Sequence, residues 1–251
     1  MPISPPLNDD HALFLDFDGT LVDIAPSPDR IVVDPALTHA LARLSERLGG
    51  ALAIISGRPI AELDRWLAPL TLPAAGIHGA ERRRAAGTVE RLPTTALDAI
   101  ATRAEALAAT HPGLRVERKG AAVALHYREA PQWEAACREA ITQALAGAPG
   151  LQLLDGKMVL EVLPRGVSKG HAIEAFLAEP PFAGRQPLFL GDDVTDEAGF
   201  EVVQRLGGVA VKVGPGPTIA AQRIDGAAAV RRWLLAAAHP PKDITHHAAS
   251  A

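Results

Sequence analysis

The residues best suited to chemistry in this chain lie just after short apolar runs or at the start of a helix. Ala12 to Leu15 is long enough for a buried strand and too short for a helix. Asp16 and Asp18 follow it, and the two-residue period of a strand sends both carboxylates off the same face. Gly19 then permits a sharp turn or a close backbone approach to a ligand. Two acids at one strand end repel each other unless something cationic sits between them. A hard cation with oxygen ligands, most simply Mg2+, removes that cost. The same problem recurs at Asp192, Asp193, Asp196 and Glu197, four acids in six residues after the apolar run Pro187 to Leu190. One cation shared by both clusters answers both. An acidic first helical turn also accounts for the second cluster.

Two further residues suit an anion. Ser56 ends the apolar run Ala51 to Ile55, where its hydroxyl either meets a phosphoryl oxygen or caps a helix beginning at Pro59. Lys169 follows Ser168, a good N-cap, so its charge opposes the helix macrodipole. A bound phosphate supplies a reason for that placement, since ammonium groups and helix N-termini both attract it; the plain reading is a solvated lysine.

The elements that must position these groups are legible as a pattern. Asp34-Pro35 starts a helix, Leu37, Leu41, Leu44 and Leu48 recur at helical spacing, and Gly49-Gly50 ends it. Strand, helix, strand predicts a right-handed parallel crossover, whose carboxyl ends bind ligands in open α/β sheets. Between Arg82 and Arg165 the pattern changes. Val89 to Leu92, Leu114 to Glu117, Ala122 to Tyr127, Leu151 to Leu154 and Met158 to Leu163 read as strands, with turns at Lys119-Gly120 and Asp155-Gly156. Helices over Thr94 to Ala109 and Pro131 to Ala146 complete a small α+β insertion. The expected organisation is a disordered lead over residues 1–10, a core over 11–81 and 166–238, an α+β unit over 82–165 and a flexible tail over 239–251.

Asp16-Phe17-Asp18-Gly19-Thr20 resembles motif I of the haloacid dehalogenase superfamily, dominated by Mg2+-dependent phosphatases. Ser56, the string Val167-Ser168-Lys169-Gly170 and Gly191-Asp192-Asp193-Val194-Thr195-Asp196 match motifs II, III and IV in order. The resemblance implies a Rossmann-like parallel-sheet core with a C2-type cap. It implies Asp16 as nucleophile, Asp18 as general acid/base, and Lys169 neutralising Asp16 and the phosphoryl group. It also implies Ser56 and Gly57 at the phosphate, Mg2+ held by Asp16, Asp18 and Asp192, and support from Asp193 and Asp196. Gly76-Ile77-His78-Gly79-Ala80-Glu81 is similar to the G-x-H-G-x-E stretch of the trehalose-6-phosphate phosphatases, one branch of the superfamily. That likeness implies sugar-phosphate contacts from Phe17, Gly19, Arg58, His78, Gly79 and Glu81, and lid contacts from Lys119, Lys157 and Glu161. Charged residues set within the cap strands suit a hydroxyl-rich ligand, although an exposed sheet face carries such charges too.

Composition narrows the rest. With 251 residues, 48% of them hydrophobic, the chain can bury a substantial core. A net charge of -4 and a pI near 6.1 give no sign of nucleic-acid binding. Cys137 is the only cysteine, which excludes an intrachain disulfide and a multi-cysteine zinc site. No run reaches membrane-spanning length and the first residues lack signal-peptide character, so a cytoplasmic protein is expected, with its oligomeric state open. Trehalose 6-phosphate is the expected substrate. Phosphatases for sucrose or mannosylglycerate phosphate, a phosphosugar mutase, and a silent sugar-phosphate sensor are the other readings.

Overall fold

The computed structural model describes residues 5–24, 31–92 and 97–239. Its first strand, β1 (His11–Leu15), is buried throughout. Asp34 then caps α1 (Pro35–Arg47), accepting from the Ala36 amide at 2.8 Å, and positive-φ Gly49 and Gly50 follow its end. Next come β2 (Leu52–Ile55), α2 (Ile60–Leu67), β3 (Ala74–Gly76), and the antiparallel pair β4 (Glu81–Arg83) and β5 (Val89–Arg91).

The inserted unit comprises α3 (Leu97–Thr110), β6 (Arg115–Arg118), β7 (Val123–His126), α4 (Glu134–Leu145), β8 (Leu151–Gly156) and β9 (Val159–Pro164). Its strands form an antiparallel sheet in the order β6-β7-β9-β8. One face of that sheet packs Val123, Leu125, Leu160 and Val162 with Ile100, Ala104, Cys137 and Ile141 of the two helices. Strand alternation therefore turns Glu161, between Leu160 and Val162, to the opposite face. A sheet covered on one side only leaves its other side to close over the core.

The chain returns through α5 (Lys169–Leu177), β10 (Gln186–Gly191), α6 (Glu197–Arg205), β11 (Val209–Val213), β12 (Gln222–Ile224) and α7 (Ala227–Ala237). The large sheet runs β12-β11-β10-β1-β2-β3-β4-β5, parallel from β12 to β3. Strand β1 sits between β2 and β10, so successive crossovers leave it in opposite directions. The gap beyond its carboxyl end is the place where an open α/β sheet takes a ligand. Phe14, Phe176 and Phe182 fill the core beneath, with the Phe14 and Phe182 rings stacked 5.5 Å apart.

Three expectations shift. Strands β4 and β5 hydrogen-bond to the large sheet, so it continues past residue 82, where the sequence pattern places the start of the insertion. At β4 and β5 it is antiparallel pairing within the large sheet that alters the pattern; the separate sheet begins at β6. The β8–β9 turn falls at Lys157-Met158, with Met158 at φ +64°, whereas Asp155 and Gly156 remain in β8. Gly156 answers to space instead of turning: a Cβ there would lie 2.7 Å from Val159. Residues 5–10 are anchored. The Trp233 indole donates to the Pro5 carbonyl at 2.8 Å, and Arg47 reaches Leu7 and Asp9. The tail beyond residue 239, residues 25–30 of the loop after motif I, and Thr94 at the expected start of α3 lie outside the described residues. Among the described residues no helix is long and apolar enough to cross a membrane.

Candidate active site

Strand register brings the two acidic clusters together. Leu15 pairs with Leu190, and the Asp16 amide donates to the Leu190 carbonyl at 3.0 Å, so Asp16 and Asp192 leave neighbouring strand ends. Gly19 lies against the second cluster at φ +80°; a Cβ there would stand 2.2 Å from the Asp192 carboxylate. Only glycine satisfies both the backbone and that approach.

Lys169, in the first turn of α5, is buried and donates to Asp16 Oδ1 at 2.8 Å and Asp196 Oδ1 at 2.6 Å. Ser168 caps that helix through the His171 amide, which fixes where the lysine begins. Burial costs the ammonium less than its two carboxylate partners give back, so its pKa is raised. Asp16 also stands well above the usual carboxylate range. Burial is the largest cause, Asp196 and Asp192 add repulsion, and Lys169 offsets only part. Asp192 is pushed up to about 6, first by burial and then by Asp196. Carboxylate oxygens of Asp16, Asp192 and Asp196 all lie within 4.8 Å of one another. Three hard donors this close, two of them reluctant to ionise together, suit a hard divalent cation.

Asp193 and Asp196 brace the loop. Each accepts from the other's stretch of backbone, Asp196 Oδ2 from the Asp193 amide at 2.9 Å, in a reciprocal capping box ahead of α6. Asp193 Oδ2 also accepts from the Lys157 amide at 3.3 Å, joining the loop to the cap turn. Asp18 does not join the three-acid cluster through its carboxylate. Arg58 Nε and Nη2 hold both its oxygens, at 2.6 and 2.8 Å, while Nη1 donates to Glu62 at 2.8 Å. Ser56 is buried beside Asp16 at the end of β2, and its Oγ accepts from the Arg58 amide at 3.1 Å. It thus serves as a local cap while facing the same cavity.

The cap closes that cavity. Glu161, buried, accepts from His78 Nε2 on the core and from Lys119 Nζ on the cap, and Lys119 Nζ also reaches the Gly57 carbonyl at 3.3 Å. The two donors hold the Glu161 carboxyl below its ordinary range despite burial. His78 sits at φ +57°, in the tight turn that follows β3. The cavity is lined by Asp16, Asp18, Ser56, Gly57, Arg58, His78, Lys119, Lys157, Glu161, Lys169, Asp192 and Asp193.

Other sequence-predicted residues lie outside that lining. Phe17 is fully buried, with the Arg58 guanidinium carbon 5.9 Å from its ring centroid. Gly79 packs toward Ala172, and Glu81 accepts from the Ile60 amide at 2.9 Å, bracing the start of α2. They shape the mouth without reaching into it. Sequence reasoning missed Lys212, buried on β11 with Nζ donating to the Asp192 carbonyl. A charged residue inside the apolar run Val209 to Val213 was the available signal. Glu117 and His126, among the charged residues set within the cap strands, pair on the cavity wall 2.8 Å apart.

Comparison with known proteins agrees with this geometry. A family model described as trehalose-phosphatase matches residues 14–226. The chain is 46% identical to the trehalose-6-phosphate phosphatase of Escherichia coli K12, over 92% of this chain and 88% of that one. It is 48% identical to a probable trehalose-phosphate phosphatase of Sinorhizobium fredii, over 82% and 79%. Among solved structures, the C-terminal domain of Candida albicans trehalose-6-phosphate phosphatase superposes with a TM-score of 0.79 at 24% identity, covering 91% of each chain, which bears on the fold.

Proposed function

This chain belongs to the trehalose-phosphatase family, within the haloacid dehalogenase superfamily, and we propose that it hydrolyses trehalose 6-phosphate to trehalose and phosphate with Asp16 as nucleophile. The observation that carries the assignment of roles is the buried Lys169 shared by Asp16 and Asp196 at the end of β1. A carboxylate that is buried among acids, with a lysine donating to it and offsetting part of that burden, is a placed oxygen nucleophile.

Asp16 attacks phosphorus in line, forming an aspartyl phosphate and releasing the sugar oxygen. Lys169 and Ser56 stabilise charge on the phosphoryl oxygens. Mg2+, held by Asp16, Asp192 and the Asp196 loop, supplies further neutralisation of that charge when bound. Asp18 gives a proton to the departing oxygen and then takes one from the water that splits the acyl phosphate. Arg58 holds both its oxygens, so Arg58 must shift toward Glu62 or the incoming phosphate before Asp18 can donate. Glu161, Lys119 and His78 hold the sugar hydroxyls and exclude bulk water.

Phosphate release from a panel of sugar phosphates, with Mg2+ and with EDTA, tests the reading. Mg2+-dependent release from trehalose 6-phosphate, with sucrose and mannosylglycerate phosphates turned over poorly, is the expected result. No release from any of them would overturn it. Glu161→Gln separates the cap from the chemistry: it should cost about 10- to 100-fold in kcat/KM on trehalose 6-phosphate, as expected for lost charge-assisted hydrogen bonds. Turnover of p-nitrophenyl phosphate, which has no sugar to hold, should change little.

Metal binding should depend on pH through Asp192. Its folded pKa near 6 lies above the unfolded value, so the folded state holds a proton that Mg2+ must displace. Without metal, this group's contribution to stability falls as pH rises from about 4 through 6. Added Mg2+ should therefore raise Tm clearly at pH 7.5 and hardly at pH 5, read by thermal melts at both values. Equal shifts would remove Asp192 from the metal site.

A further inference from the structure

Lys212 is a buried charge that the proposed chemistry does not use. It lies on β11 opposite Gly191 of β10, in the parallel register immediately before Asp192. Its side chain is almost entirely shielded from solvent, and Nζ donates to the Asp192 main-chain carbonyl. Desolvating an ammonium against a single neutral carbonyl is costly. The strand positions around Lys212 are apolar and buried, so nothing in the sheet's own packing calls for a charge.

We propose that Lys212 is a positioning residue for the metal site: by clamping the Asp192 carbonyl it sets the direction in which the Asp192 carboxylate leaves β10. The clamp acts on backbone at the end of a strand already fixed by ladder hydrogen bonds on both sides. The lysine restrains ψ of Asp192 and the peptide plane after it, and so fixes the Cα from which the carboxylate springs. Gly19 leaves the space that this carboxylate occupies: a Cβ there would stand 2.2 Å from it. Asp192 is held between a donor at its carbonyl and a glycine at its side chain, and its oxygens face Asp16 and Asp196. This inference rests on the metal assignment above. It separates from a purely electrostatic role by sign: a nearby positive charge repels Mg2+, so removing one strengthens binding if charge is all that matters, whereas removing a clamp weakens it.

The test is Mg2+ binding by isothermal titration calorimetry to the wild type and to Lys212→Met, alongside Tm with and without Mg2+. Positioning predicts a Kd for Mg2+ raised about 10- to 100-fold, the usual effect of losing an outer partner of a metal ligand. Turnover at saturating Mg2+ should be largely recovered. Unchanged affinity with only a lower metal-free Tm means Lys212 merely fills the fold, and tighter binding means charge alone acts; either overturns the proposal. If Lys212→Met does not fold, Lys212→Arg decides. It keeps the charge but replaces a point donor with a planar fork that cannot occupy the same place. Weakening of at least about threefold supports the clamp, and unchanged binding removes it. Wild-type protein that binds no Mg2+ would instead strike at the metal assignment itself.

Discussion

Asp16→Asn is expected to lower phosphate release from trehalose 6-phosphate by at least on the order of 10³-fold while the protein still melts cooperatively. The amide is nearly the same size but cannot form an acyl phosphate with phosphorus. Its effect on the fold is small for a reason visible in the site: Lys169 keeps Asp196 as a partner, and one of three crowded acids is gone. The carboxylate being removed is one whose ionisation burial already opposes. Single-turnover assays with excess enzyme, together with far-UV circular dichroism, check both halves. Wild-type-like turnover from a folded variant would remove Asp16 from the mechanism.

Lys169→Ala should damage both function and fold. The rate should fall by about 10²- to 10³-fold, the effect of deleting a preorganised donor at a developing anion. Stability should fall by about 3–5 kcal/mol, because two buried carboxylates lose their shared cation. Both acids are essentially inaccessible to water, so screening gives little relief. The loss should depend on pH with a definite sign. With the lysine gone, Asp16, whose ionisation burial already opposes, takes a proton more readily, and lowering the pH supplies it. Urea titrations should show the gap between variant and wild type narrowing toward pH 5. A gap independent of pH would mean that the lysine acts by packing.

How much of this was legible in the sequence depends on distance along the chain. Asp16, Asp18 and Ser56 were readable because an apolar run ending in a polar residue marks a strand end, and in a parallel sheet such ends converge. Lys169 was readable because a lysine just inside a capped helix is electrostatically odd. Arg58 was expected at the sugar phosphate, yet it holds Asp18, since two side chains 40 residues apart in sequence meet only once the strands are aligned. Glu81 read as part of a motif, but the start of α2 lies within its reach and takes its carboxylate. Lys212 carries a signal as a charge within an apolar run, but its role does not. Its partner is a backbone carbonyl, which no side-chain pattern announces. The end of the large sheet was misplaced because antiparallel β4 and β5 look locally like the hairpins of the cap.

The bond network of Glu161 has a consequence for inhibitors. His78 and Lys119 already satisfy this carboxylate, and Lys119 also serves the Gly57 carbonyl. Binding is then an exchange of partners, not an addition of new ones. A hydroxyl that replaces a donor one for one leaves the count of hydrogen bonds unchanged, so its net gain is small. A ligand that displaces the donors without replacing them leaves a buried charge stranded and is rejected. Compounds built by growing apolar area on a phosphate mimic should therefore stall at weak affinity. Those that present two donors at the spacing of His78 and Lys119 avoid that penalty because Glu161 stays paired, and their affinity must then come from the phosphate end.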